Sequence, residues 1–357
     1  MTRKIALGAA LAGLAAVPAA AQQRVALSGN DVAIYDLAGE VRVRASSGPS
    51  VVVEVEPAGD DAGKLRVATG RTGAWQTLRV IFPDDRIVYD RMGWMGGHTE
   101  LRVREDGTFG DPRIWPEGDE GRERSEGERV QISGRGSGLH AYADLTVNVP
   151  QGKRVAVFVG VGRATVENVD GRLRVSTGSG GVTATRTRGV LWAESGSGSL
   201  DLTDLEGEIR AETGSGGIRL DGARGSRVSL ETGSGTIQGG RISASQLKAE
   251  TGSGGIRLNG VAAPVARLET GSGGVDVGFT TDVDELKVDT GSGGVRVGLP
   301  ASAGAQVRVD TGSGGITTDL PFQLTRRRRD RLEGSIGDGR GTIDIDTGSG
   351  SVRLLRT

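Results

Sequence analysis

A serine held between two glycines is the residue pattern in this chain that most invites a chemical reading. Glycine-flanked serine on a sharp turn is how hydrolases present a nucleophile. Here the segment is Thr-Gly-Ser-Gly, with copies beginning at Thr177, Ser195 (as SGSGS), Thr213, Thr232, Thr251, Thr270, Thr290, Thr311 and Thr347. Nucleophilic catalysis needs one serine with a base beside it. This serine instead returns in every copy, and neither of the two histidines, His98 and His140, returns with it. The pattern therefore excludes a serine nucleophile, and the two histidines read as structural or solvated.

Three other groups carry charge or aromatic surface. The residue before each copy is acidic in every case but Ser176: Glu194, Glu212, Glu231, Glu250, Glu269, Asp289, Asp310 and Asp346. If copies stack, these acids stand about 4.8 Å apart and repel by roughly 0.9 kcal/mol per pair in water. Such a column needs compensation, and Arg219, Arg257, Arg296 and Arg353, just past the corner, are the expected partners. A row of calcium sites is the sharper alternative, against which the turn lacks the in-loop aspartates of calcium-binding repeats. The run Arg326, Arg327, Arg328, Arg329 reads as a solvated loop or as a contact for an anionic partner such as lipopolysaccharide, lipid phosphate or an acidic glycan. Trp94 and Trp115 lie among glycines and prolines. They are placed to stack on sugar rings or fill a partner's pocket, or else to fold back over an open end of the stack. These six residues are the candidate partner-binding set. No catalytic, cofactor-binding or metal-ligating residue is assigned.

Stepping from copy to copy takes 18, 18, 19, 19, 19, 20, 21 and 36 residues, a period that marks a solenoid. In Gly217–Thr232, Ile218 and Leu220, then Val228, Leu230 and Thr232, share one face by the alternation of a strand. The glycines turn the corner, by adopting positive φ or by leaving room for a stacked neighbour. Across the copies, Val182, Leu200, Ile218, Ile237, Ile256, Val275, Val295, Ile316 and Val352 form an aliphatic column at one inward position. The expected architecture is an all-β parallel β-solenoid with 18–21-residue coils. The last gap of 36 residues reads as one coil plus an insertion, and the final coil, with no capping element after Leu355, is expected to expose strand edges open to end-to-end self-association.

Around this core, residues 1–21 have the form of a secretory signal peptide: Arg3 and Lys4, an apolar run, then Ala19-Ala20-Ala21 before Gln22. Residues 22–83 read as irregular β coils, 84–129 as a loop or partly disordered insertion with a hairpin near Leu101–Arg104, and 130–357 as the repeats, with a basic loop at 325–331. No second long apolar run follows the leader, so no transmembrane segment is expected once it is cleaved. There is no cysteine, which removes disulfides and thiolate metal sites. A formal net charge of −1 gives no bias toward nucleic acid.

Taken together, Ile34-Tyr35-Asp36-Leu37-Ala38-Gly39-Glu40-Val41-Arg42-Val43, Leu145-Thr146-Val147-Asn148-Val149-Pro150 and the TGSGG(I/V) array resemble a bacterial family of exported β-strand-repeat domains of unknown function, related to an autotransporter-adhesin head domain. The resemblance implies a right-handed parallel β-helix or related solenoid, exported to periplasm or cell surface, without a catalytic site or cofactor. The expected function is a non-enzymatic envelope module for adhesion, scaffolding or binding of a glycan or protein. A self-assembling envelope fibre and a polysaccharide-active β-helix enzyme are the alternatives. The enzyme would need carboxylates converging at one place, whereas these acids are spread evenly.

Overall fold

A computed structural model describes residues 17–18, 22–92, 97–111, 113–115 and 126–357. The signal-peptide expectation therefore falls almost wholly outside the described residues, and Trp94 lies outside them too. What is described is β structure with two single-turn 3₁₀ segments, Ala62–Lys64 and Asp90–Met92.

Alternating aliphatics build two ladders that share one core. In the first wall, Val157, Val175, Ala193, Ala211, Leu230, Ala249, Leu268 and Val288 stack in register along parallel strands. In the second, Ala164, Val182, Leu200, Ile218, Ile237, Ile256, Val275 and Val295 do the same. Both sets are buried in one continuous cluster, so each strand contributes alternate side chains to a narrow, close-packed interior.

The two corners are made differently. At the Thr-Gly-Ser-Gly corner the threonine turns inward. Thr213 Oγ1 accepts the Gly216 N–H at 3.2 Å and donates to the Gly198 carbonyl of the preceding row at 2.8 Å. The same pair of bonds recurs at Thr232, Thr251, Thr270 and Thr290. Glycine is needed here for close approach: a Cβ on Gly216 would lie 2.1 Å from the Gly198 oxygen, while its φ is not positive. The opposite corner carries the left-handed residues, with Asn168, Arg186, Asp204, Gly222, Arg241 and Gly260 all at φ between 51° and 80°.

The all-β solenoid-like architecture thus stands, but the sheet is mixed rather than purely parallel. At the N-terminal end Val51–Ala58 pairs antiparallel with both Gln23–Leu27 and Tyr142–Pro150, and Arg66–Thr72 pairs antiparallel with Trp75–Ile81. Residues 22–83 thus include antiparallel strands and one hairpin at the ladder ends, beside coil strands. Nor is the expected insertion at 84–129 only a loop. Arg86–Val88 and His98–Val103 flank Glu128–Ser133 in a separate three-stranded sheet, with Leu101 opposite Val130. Irregularly spaced apolar residues conceal this in the sequence. Ile87, Phe109, Ile114, Val130 and Ile132 nevertheless form a second core with Tyr35 and Phe158 on the outer face of the first wall.

The C-terminal end departs from chain order. Gly341–Thr347 lies between Glu285–Thr290 and Ala305–Thr311, parallel to both. Val352–Arg356 likewise lies between Val295–Leu299 and Ile316–Thr318. The corner bonds agree: Thr347 donates to the Gly293 carbonyl at 3.0 Å and Thr311 to the Gly350 carbonyl at 2.8 Å. The final coil is thus inserted ahead of its predecessor and does not expose its edges. The outermost position belongs to the antiparallel hairpin of Arg331–Ile336 and Phe322–Arg327. The expected basic loop at 325–331 is the tip of this hairpin, and Arg326 and Arg327 end its edge strand, where charge discourages strand addition.

Candidate binding groove

Outward side chains of the first wall form two neighbouring columns. One is the acidic column. The other, two residues earlier on each strand, reads Arg174, Trp192, Arg210, Ser229, Lys248, Arg267 and Lys287. Residues two apart on a strand share a face, so acids and bases pair within and between rows: Arg308–Asp310 at 2.8 Å, and Lys248 with Glu250 at 2.9 Å and Glu231 at 3.1 Å. Arg267 also pairs with Glu269. Partial burial works against the charge on Lys248, but its hydrogen bonds to Glu250 and Glu231 outweigh this and hold it above the ordinary lysine value.

The compensating cations are thus not the expected Arg219, Arg257, Arg296 and Arg353. Those belong to the second wall, where Arg219 stands in register with Asp201 and Arg257 with Asp276. The column breaks at Asp344, the residue opposite both Lys287 and Arg308. Partial desolvation there, together with Asp310, Asp289 and Asp344, raises the Asp346 carboxyl above its usual range. Among the described residues no group of three or more His, Asp or Glu side chains is arranged to hold a metal ion.

Where this wall meets the small sheet, Arg174 and Glu194 form a buried ion pair at 3.1 Å. Arg174 also donates to the backbone carbonyls of Ile114 at 2.8 Å and Arg113 at 3.1 Å. That guanidinium therefore ties the 113–115 segment to the wall and sets the position of Trp115. The Trp115 ring stacks against Trp75 at 6.5 Å and meets Trp192 edge-on at 6.3 Å, with the Arg172 guanidinium 5.4 Å from its centroid. Trp192, 8% exposed, lies between the guanidinium groups of Arg174 and Arg210. Its indole N–H has no hydrogen-bond partner among the described residues.

From these two tryptophans a groove of about 660 Å³ runs along the wall to Val265 and Arg267. Five cationic side chains (Arg172, Arg210, Arg227, Lys248 and Arg267) and two anionic ones (Glu208 and Glu231) line it. A hollow of about 710 Å³ follows the left-handed corner, where Arg188 pairs with Glu206 at 3.2 Å and Arg241 with Asp204 at 3.4 Å. It contains no aromatic surface.

Of the five described residues among the six singled out in the sequence, Trp115 reaches the groove, and Trp94 lies outside the described residues. Arg326, Arg327, Arg328 and Arg329 are exposed on the terminal hairpin, where Arg326 faces Glu333 at 3.8 Å. His98 is exposed beside Glu100, and the His140 backbone N–H donates to Asp61. Neither histidine bonds to a corner serine. The basic column escaped the sequence reading, although Arg210-Ala211-Glu212, Lys248-Ala249-Glu250, Arg267-Leu268-Glu269 and Arg308-Val309-Asp310 repeat it openly.

Two mixed ladders closed by glycine corners, with charge columns outside and aliphatics inside, define an all-β solenoid-like repeat protein. Residues 126–355 match the Toastrack family, DUF4097, and the chain belongs to that family. Two solved structures are also similar. One is a candidate cell adhesion protein from Clostridium sporogenes, at 9% identity and a TM-score of 0.20, the match covering 94% of this chain and 100% of the other. The second is a candidate adhesin from Bacteroides fragilis, at 10% identity and a TM-score of 0.37, covering 94% and 98%. At these scores neither carries a conclusion about this chain. Nothing among curated proteins matches it. No helix among the described residues is long and apolar enough to cross a membrane.

Proposed function

We propose that this protein is an exported, non-enzymatic binding module of the bacterial cell envelope, a right-handed solenoid with 18–21-residue coils that uses one outer wall for recognition. The observation that carries this reading is the groove beside Trp115 and Trp192, which interrupts an otherwise regular wall of paired charges with aromatic surface and the exposed guanidinium of Arg227. Export rests on the form of residues 1–21. A non-enzymatic role is supported by the even spread of acids and bases in paired columns, which is what a wall needs to offset its own repulsion. A polysaccharide-cleaving centre would need converging carboxylates. The fibre alternative is disfavoured by the arginine-bearing edge strand at the C-terminal end.

The partner is an envelope glycan or protein, met without turnover. Incubating the purified protein with envelope fractions and recovering it by affinity tests this. The reading expects an envelope component to be retained chemically intact. Recovery of cleaved products, or of nothing, removes it.

A further inference from the structure

Several features of the groove bear on the chemistry of its ligand. Successive rows of a parallel ladder lie about 4.8 Å apart, so the five rows from Trp192 to Arg267 extend for about 19 Å. An occupant that touches both ends must be extended. Lys248 and Arg267 along the way are paired with wall glutamates, whereas exposed Arg227 has no ion-pair partner among the described residues. At the other end is the half-buried ring of Trp115, set against the buried Trp192.

An acidic peptide fits these features poorly. Peptides bind sheets through main-chain bonds at an open edge, and the groove lies on a sheet face whose backbone groups are used in the ladders. A sugar ring asks for something else: an indole to stack on, side-chain polar groups for its hydroxyls, and a guanidinium for a carboxylate. Trp115, the Ser229 and Gln246 side chains, and Arg227 provide these within the groove, from two adjacent columns of the wall.

We propose that the groove binds a linear acidic polysaccharide of the uronate type, with a ring against Trp115 and a carboxylate on Arg227. This inference rests on the binding-module reading and names the ligand class of that same site.

Isothermal titration of the purified protein with a homogalacturonan oligomer tests it, against a neutral β-glucan oligomer of equal length and against poly-glutamate. The expected result is binding of the uronate alone, weakened by added salt. Arg227→Glu and Trp115→Ala should each lower affinity about tenfold or more, while Arg328→Ser in the hairpin leaves it unchanged. Circular dichroism melts would verify that the variants fold, and because Arg227 is exposed, its variant keeps the test valid if Trp115→Ala does not. Absence of heat with the uronate, equal affinity for poly-glutamate or the neutral glucan, or unaltered affinity in Arg227→Glu would overturn the inference. Envelope capture measured alongside separates the two levels: capture without uronate binding sinks this inference alone, and loss of both sinks the binding-module reading as well.

Discussion

Arg174 and Glu194 face each other at 3.1 Å with 3% of each side chain exposed, and the same guanidinium bonds the Ile114 carbonyl. The pair occupies the two outward columns that elsewhere carry exposed charges. At this row the small sheet and the 113–115 segment cover them. One structural column thereby becomes the anchor of the residue that begins the groove.

Replacing Arg174 by Met should therefore do more than remove a charge. It takes the Arg174 guanidinium away from the buried Glu194 carboxylate, and breaking a buried pair from one side costs up to about 3–5 kcal/mol. It also frees the two carbonyls that hold Trp115. Chemical denaturation would show the loss of stability, and tryptophan fluorescence would shift to the red in the native state. The double variant Arg174→Met with Glu194→Leu should recover most of the stability without recovering the fluorescence.

The corner threonine and corner serine should respond oppositely to loss of the hydroxyl. Thr251 is buried, accepts the Gly254 N–H at 3.1 Å and donates to the Gly235 carbonyl at 2.9 Å. Thr251→Val keeps the shape and should cost about 1–3 kcal/mol in thermal or urea unfolding. Ser253 is exposed, and Ser253→Ala should stay within about 0.5 kcal/mol of the parent.

Row order at the C-terminal end is open to a covalent test, because the chain has no cysteine of its own. Adjacent rows stand about 4.8 Å apart, inside the range a disulfide spans, whereas rows two apart do not. The cysteine pair Ser292→Cys with Ser349→Cys should oxidise readily, as should Ser313→Cys with Ser349→Cys. The pair Ser292→Cys with Ser313→Cys should remain reduced. Chain-order stacking predicts the reverse for the first and third pairs, read by mass spectrometry.

Asp36 supplies a dependence on pH. Its carboxyl is fully buried at the N-terminal foot of the corner threonine column, without a well-formed hydrogen bond, and Val159 separates it from Thr177. Burial first, then the nearby Asp144 carboxylate, push its pKa well above the usual aspartate value. The native state therefore holds this proton more tightly than the unfolded chain does. The stabilisation is complete below the unfolded value and fades as pH rises through the window up to the folded one, by at most about 1.4 kcal/mol per pH unit. Melting curves across that window should show Asp36→Asn gaining on the parent as pH increases.

Much of this fold is legible in the residues. The aliphatic column through Ile218, Ile237 and Ile256 and the inward face of Thr232 follow from alternation alone, and the coordinates place them so. Row order near the end does not follow. Thr290, Thr311 and Thr347 begin identical corners, so local pattern cannot say which is stacked on which. The deciding contacts come from the hairpin at Phe322–Ile336, which takes the outer edge. Groove residues were partly visible: Trp115 stood out by composition, and the cations two positions before each acid obey the alternation that places the core. Trp192 did not stand out, because within its strand it reads as one more apolar residue. Its meaning depends on Trp115, a residue 77 positions earlier that the 113–115 segment brings against it.

Envelope capture compared across three proteins tests the central claim most directly: the parent, a groove variant carrying Arg227→Glu and Lys248→Glu, and a hairpin variant carrying Arg327→Ser, Arg328→Ser and Arg329→Ser. The account predicts that the groove variant loses capture while the hairpin variant matches the parent. Capture abolished by the hairpin substitutions and untouched by those in the groove would contradict it.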